Sequence, residues 1–197
     1  RYGRITGGYP VIASLATLAY DGRRSAFFRS ELIRALKILE EGHISPEKMD
    51  GSWAGAMGQV QFMPSSFVTY AVDYDGDGRR DIWDTMPDAL ASAANYLARS
   101  GWKKDQGWGG EVSLPAGFKK ELVGDGTKKT LKEWQQMGVS GKGVAGKPDL
   151  PAYLVQPNKG SGPIFLAYPN YRVILKWNQS NYFAVAVGTL ADRIAAP

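Results

Sequence analysis

Five aspartates fall within the twelve residues Asp73-Tyr74-Asp75-Gly76-Asp77-Gly78-Arg79-Arg80-Asp81-Ile82-Trp83-Asp84. Carboxylates this dense repel one another unless a cation gathers them, so this stretch limits the fold more than any other. The run matches the calcium-loop pattern at its first, third, fifth, sixth and ninth positions. Carboxylates on alternate residues converge on one point, Gly78 permits the sharp turn, the Arg79 carbonyl can be offered and Asp81 can bind through a water. Ile82 is the apolar anchor. At the twelfth position Asp84 replaces the expected bidentate glutamate and is one methylene shorter, so either Asp84 or Asp88 closes the shell. The expected ligand set is Asp73, Asp75, Asp77, Arg79, Asp81, Asp84 and Asp88, around a structural Ca2+ that ties two helices together. The competing reading is an acidic turn that never holds a metal.

Helical patterns lie on both sides of this loop. Residues 10–20 open with Pro10, which suits a first helical turn. Residues 25–41 place Phe28, Leu32, Leu36 and Leu39 at helical spacing, and Gly42 ends the run. Further helices are expected over 64–72, 85–100, 130–137, 170–177 and 181–195, with Gly101 closing the fourth of these seven runs. Residues 103–163 are rich in Gly, Lys and Pro and carry short strand-like pieces at 111–114 and 152–155. The fold class is α+β, mostly α. Expected divisions are a helical core over 1–102 with the metal loop at 73–88, a loop-rich inserted subdomain over 103–163, and C-terminal helices over 164–197 that complete the core.

Composition removes several function classes. The chain has no cysteine, so disulfides, thiolate zinc sites and cysteine nucleophiles are excluded. Its single histidine, His43, sits in polar surroundings and reads as a solvated loop residue. A Ser-His-Asp triad has almost nothing to be built from. The net charge of +5 favours an anionic partner, but scattered Lys and Arg without an RNA-binding or zinc-finger signature argue against nucleic acid. No apolar run is long enough to span a bilayer, so any membrane contact would come through an anchor outside this chain.

Next to the loop lies Gly51-Ser52-Trp53-Ala54-Gly55-Ala56-Met57-Gly58-Gln59-Val60-Gln61-Phe62-Met63-Pro64-Ser65-Ser66. The segment combines small residues with large apolar ones and two glutamines. Such a stretch can let a polymer approach the backbone closely, or can be a buried irregular connection. It resembles the signature of the membrane-bound lytic murein transglycosylase B family. The resemblance continues through the aspartate loop, Asp88-Ala89-Leu90, Ala94-Asn95-Tyr96, Arg1-Tyr2-Gly3-Arg4, Phe27-Phe28-Arg29-Ser30-Glu31-Leu32 and Lys176-Trp177-Asn178-Gln179-Ser180, and is weakest over 103–163.

The resemblance implies a lysozyme-like helical core with an EF-hand-like calcium loop, and a periplasmic enzyme, monomeric, acting on peptidoglycan glycan strands. The implied reaction breaks the β-1,4 bond between N-acetylmuramic acid and N-acetylglucosamine without water and leaves a 1,6-anhydro end. One Glu protonates the leaving oxygen and then takes the proton of the attacking C6 hydroxyl, so the second carboxylate of ordinary glycosidases is not needed. That Glu is expected two residues before Arg1-Tyr2-Gly3-Arg4. On this reading the chain by itself binds glycan without cutting it. Glu31 is the conceivable substitute, although a helical glutamate facing solvent is expected.

Ser52 resembles the serine that supports the acid. Arg24, Gln61, Phe62, Tyr96, Trp177, Asn178 and Phe183 match substrate-side positions, Arg24 toward stem-peptide carboxylates and the others toward the sugars. Ser52, Gln61, Tyr96 and Asn178 are expected to face one groove. Trp177 and Phe183 stand where tyrosines are familiar, which keeps stacking and loses the hydroxyls. Residue type alone would place Tyr96, Trp177 and Phe183 in the core.

Overall fold

Pro10 and Pro64 each stand at the start of a helix, where a missing N–H costs nothing. In the structure, a computed structural model that describes residues 5–124 and 126–196, the chain divides into two units, Arg1–Arg99 and Ser100–Pro197.

The first unit holds α1 (Val11–Tyr20), α2 (Ser25–Glu40), α3 (Pro64–Tyr70) and α4 (Met86–Arg99). A short ladder joins β1 (Tyr9–Pro10) to β2 (Asp50–Gly51) and ties the start of α1 to the segment around Ser52. Val11, Leu15, Ala35, Ile38, Met57, Phe67, Ile82 and Ala89 are essentially inaccessible and form its interior. The stripe expected on α2 is displaced. Its buried positions are Glu31, Ala35 and Ile38, while Leu36 is 49% exposed. Helical spacing is right, but the inward face includes a carboxylate that a hydropathy pattern reads as surface.

The second unit is an antiparallel sheet covered on both faces. Its strands are β3 (Gly109–Val112), β4 (Lys129–Thr130), β5 (Pro151–Val155) and β6 (Ile164–Ala167), in the spatial order β3-β6-β5-β4. Alternation along the strands sorts the side chains. Tyr153, Val155, Phe165 and Ala167 join Trp108 and side chains of α6 (Pro169–Trp177) and α7 (Asn181–Ala195). Ala152, Leu154 and Leu166 face the other way and join Val112, Leu131 and Trp134, the last two on α5 (Leu131–Gln136).

A boundary at 163 therefore falls immediately before a central strand, and α6 and α7 share a core with the sheet. Strand β6 escapes sequence reading because Ile164-Phe165-Leu166-Ala167 is a short continuous apolar run, buried on both faces and without alternation. No helix among the described residues is long and apolar enough to cross a membrane.

Candidate functional site

The segment after β2 folds as two tight turns. The Ser52 hydroxyl oxygen accepts the amides of Ala54 (3.3 Å) and Ala56 (3.0 Å), and the Ser52 amide donates to the Ala56 carbonyl (2.8 Å). Ser52 thus shapes its own turn, and those bonds leave its hydroxyl hydrogen for another acceptor. Gly55 has φ +84° and presses on Leu15. A Cβ there would stand 2.4 Å from a Leu15 methyl, so no other residue fits.

Met57 and Phe62 then pair across a second turn that ends at Gln61. Gln61 has φ +52°, and its side-chain amide donates to the carbonyls of Thr6 (2.8 Å) and Gly58 (2.9 Å). Arg24, with φ +59° at the start of α2, is the other non-glycine residue in left-handed backbone among the described residues. Its guanidinium lies 4.4 Å from the centroid of the Phe27 ring. Such conformations cost about 1–3 kcal/mol each and concentrate at functional sites. Both strained residues come from the substrate-side set. A shallow cavity of about 290 Å³ lies beside Thr6, lined also by Gly7, Lys48 and Trp83.

Phe62 is 3% exposed, so it cannot present a face to a sugar as expected. Its ring packs on Tyr96 (centroids 5.8 Å apart), and Tyr96 meets Tyr70 edge-on (4.7 Å). Phe62 therefore backs Tyr96, which is partly accessible.

In the second unit, Trp177 is half-buried at the end of α6 and Asn178 is exposed just beyond it. The Asn178 side-chain oxygen accepts the Ser180 amide (3.1 Å), which orders the turn into α7. Phe183 packs against the core cluster around Trp108, as its residue type alone suggests. Residues 1–4, which carry the Arg1-Tyr2-Gly3-Arg4 match, lie outside the described residues.

The aspartate loop gathers three carboxylates. Oxygens of Asp73, Asp75 and Asp88 lie within 4.8 Å of one another. Asp73 accepts the amides of Gly76 (2.7 Å) and Gly78 (2.9 Å), both in left-handed conformation. Asp88 is fully buried and accepts the amides of Tyr74 and Asp81, each at 2.8 Å. Three carboxylates this close, one of them buried, are a donor set that fits a hard divalent cation.

The Asp77, Asp81 and Asp84 side chains hold other partners. Asp77 holds the Arg79 side chain (3.0 Å), and Arg79 bonds keep its carboxyl below the usual range. Asp81 caps the turn into α4 by accepting the Trp83 and Asp84 amides. Asp84 points to Lys48 (3.2 Å) and is well exposed. Of the two residues that could close the shell, Asp88 is the one beside Asp73 and Asp75. Its place in the first turn of α4 puts the loop's last carboxylate beyond the standard spacing.

Two expectations about single residues are corrected. His43 is not a solvated loop residue but is 8% exposed, with its ring against Phe67 (5.5 Å). Its nitrogens meet the Arg80 amide, the Arg80 guanidinium and Glu41. Burial first, and Arg80 second, lower its pKa and keep it neutral.

Glu31 does not face solvent either. It is 2% exposed, accepts the Ser65 amide at 2.8 Å and pairs with Arg34 (3.6 Å). Ser65 stands in the first turn of α3, so the Glu31 carboxylate answers an orphan helix amide. The carboxyl comes closer to the 51–66 segment than expected, yet it is sealed from any glycan oxygen. Glu31→Gln should cost about 1–2 kcal/mol by weakening a charge-assisted bond. Thermal melting reads that loss. In a form that carries the upstream glutamate, cell-wall turnover per folded molecule should stay the same, and its disappearance would make Glu31 a catalytic acid.

The family described as Transglycosylase SLT domain matches residues 1–192. Membrane-bound lytic murein transglycosylase B of Escherichia coli (strain K12) is 36% identical over 202 residues, covering 99% of this chain and 54% of the relative. The chain thus spans about half the length of that relative. Among solved structures, SltB3 from Pseudomonas aeruginosa in complex with NAG-NAM-pentapeptide superposes with a TM-score of 0.93 at 52% identity, over 100% of this chain and 54% of the other. Escherichia coli Slt35 in complex with calcium superposes with a TM-score of 0.82 at 34% identity, over 98% of this chain and 62% of the other. The lysozyme-like fold implied by the resemblance is the fold of these neighbours. The chain belongs to the Transglycosylase SLT domain family.

Proposed function

We propose that the protein is a peptidoglycan lytic transglycosylase, cutting the β-1,4 bond between N-acetylmuramic acid and N-acetylglucosamine and leaving 1,6-anhydro ends. The family match across residues 1–192 carries this reading. The identity to SltB3, a protein crystallised with NAG-NAM-pentapeptide, supports it. A cell-wall substrate fits a periplasmic location. The alternative of a glycan-binding piece without activity gains no support from these comparisons.

Ser52, Gln61 and Tyr96 are the residues of the Arg1–Arg99 unit assigned to the sugar cleft, with Phe62 behind Tyr96. Arg24 is assigned to stem-peptide carboxylates, for which a guanidinium fork is suited. Trp177 and Asn178 are the assignments in the second unit. Phe183 supports that unit's core. The acid is the glutamate expected two residues before Arg1. Calcium, held by Asp73, Asp75 and Asp88, would fasten the loop between α3 and α4 and take no part in bond breaking.

The assay is incubation with purified cell wall, using the chain and a form that carries a glutamate two residues before Arg1. Muropeptides with anhydro ends are expected from the second form and are expected to vanish when that glutamate becomes Gln. Reducing ends in place of anhydro ends would overturn the reaction type. Gln61→Ala should lower turnover roughly tenfold or more, a larger loss than the about 1–2 kcal/mol of stability expected from losing its bonds to Thr6 and Gly58. An equal loss of folding and turnover would make Gln61 a purely structural residue.

A further inference from the structure

The Ser100–Pro197 unit carries a cavity of about 640 Å³, within the usual range for ligand sites. None of the residues the resemblance assigns lines it. Lys103, Lys104, Asp105, Gln106, Gly146 and Lys147 supply its polar and close-approach lining.

Both walls are fixed from behind. Asn170 is fully buried, accepts the Lys103 amide (2.8 Å) and donates to the carbonyls of Lys103 (2.9 Å) and Gln106 (2.5 Å). Tyr168 donates its hydroxyl to the Gly143 carbonyl (2.8 Å), which holds the opposite wall. A Cβ on Gly146 would stand 2.8 Å from a Leu131 methyl, so a side chain there requires Leu131 to shift. The cavity is therefore preformed.

Its chemistry is mixed in a particular way. Three ammonium groups stand with one carboxylate, a positive excess that favours an anion. One group, the Asp105 carboxylate, only accepts from a partner. A bare phosphate would be repelled by it. A peptide with several carboxylates and a few N–H donors uses both kinds of group.

We propose that this cavity is a second binding site of the enzyme, one that takes the acidic peptide of the wall polymer rather than its sugars. The source of that peptide rests on the transglycosylase reading. Carboxylates meet Lys103, Lys104 and Lys147, while an ammonium or amide N–H meets Asp105. Such a site holds the polymer by its peptide while the glycan is processed.

The test is titration of the isotope-labelled chain, followed by backbone amide resonances. The probes are an N-acetylated Ala-Glu-Lys-Ala tetrapeptide with free carboxylates, the same peptide with its carboxylates amidated, and inorganic phosphate at matched ionic strength. The free peptide should shift the amides of Gln106, Gly107, Gly146 and Lys147 saturably. The triple change Lys103→Gln, Lys104→Gln, Lys147→Gln should weaken binding by about tenfold, since exposed ion pairs contribute roughly twofold to fivefold each. These lysines are exposed, so melting should be unchanged.

Absence of shifts, equal shifts with the amidated peptide, or an unaffected triple variant would each overturn the proposal. Phosphate shifting the same amides as strongly as the peptide would reduce the cavity to a plain anion site, which also overturns it. Peptide binding requires no bond cleavage. A form with the upstream glutamate that binds the peptide but yields no anhydro ends therefore refutes the enzymatic reading and leaves an acidic-peptide site, and the reverse outcome refutes the cavity alone.

Discussion

Asp88→Ala is expected to destabilise the Arg1–Arg99 unit by about 2–6 kcal/mol and to abolish its response to calcium. Asp88 is fully buried, and its two oxygens accept the Tyr74 and Asp81 amides. Alanine strands both amides, and each buried unpaired group costs about 1–3 kcal/mol. The same carboxylate faces Asp73 and Asp75, so its removal would also take away one of the three groups proposed to hold calcium. A ligand bound only by the folded state stabilises it, so calcium should raise the melting temperature of the unaltered protein and a chelator should lower it. Calorimetry with and without chelator separates the two effects. Asp84→Ala is the control, because Asp84 pairs with Lys48 at the surface and should keep the full calcium response. A calcium response lost in Asp84→Ala and kept in Asp88→Ala would reverse the ligand assignment.

Trp134→Ala should cost the Ser100–Pro197 unit about 3–5 kcal/mol, the usual range for truncating a buried aromatic. Trp134 is fully buried, packs near Phe118 (6.4 Å) and donates its indole N–H to the Ala152 carbonyl (3.1 Å). The helix that carries it has only six residues. So short a helix does not hold itself together, and its capping box of Thr130 and Glu133 contributes only about 1 kcal/mol. The tryptophan is therefore what fastens α5 to the sheet. Domains are stable by about 5–15 kcal/mol in all, so the loss should be visible as a large shift of the urea midpoint. Trp53→Ala supplies the contrast: at 66% exposure it should change stability by no more than about 0.5 kcal/mol. A midpoint for Trp134→Ala close to that of Trp53→Ala would remove Trp134 from the core.

These residues show what a sequence displays and what it conceals. Helices were legible because apolar spacing, Pro at helix starts and Gly42 and Gly101 past helix ends all agree on the same bounds. The aspartate pattern announced a gathering of carboxylates, but not which of them come together. Asp84 and Asp88 differ in burial, and burial depends on how α4 packs. His43 and Glu31 were misjudged for one common reason. Polar side chains count as surface until their partners are known, and Arg80 lies 37 positions from His43, Ser65 34 from Glu31. The family resemblance named Phe62 as a sugar contact, yet only the fold places its ring behind Tyr96. The left-handed backbone at Gln61 and Arg24 had no signal in residue type at all.

The strand order has a consequence for how the chain can be divided. Strand β6 lies between β3 and β5, and among the described residues it is the only strand that joins Gly109–Val112 to the rest of the sheet. A truncation ending at 163 would take away that link and, with it, Phe165 and Ala167 from one core and Leu166 from the other. What remained would be an edge strand with open hydrogen-bonding groups beside two half-filled apolar faces, a template for aggregation. The glycine- and lysine-rich stretch before β6 is thus not a removable insert. It shares one cooperative module with the C-terminal helices, and the natural cut for expressing a part of this protein is near Arg99, not near residue 163.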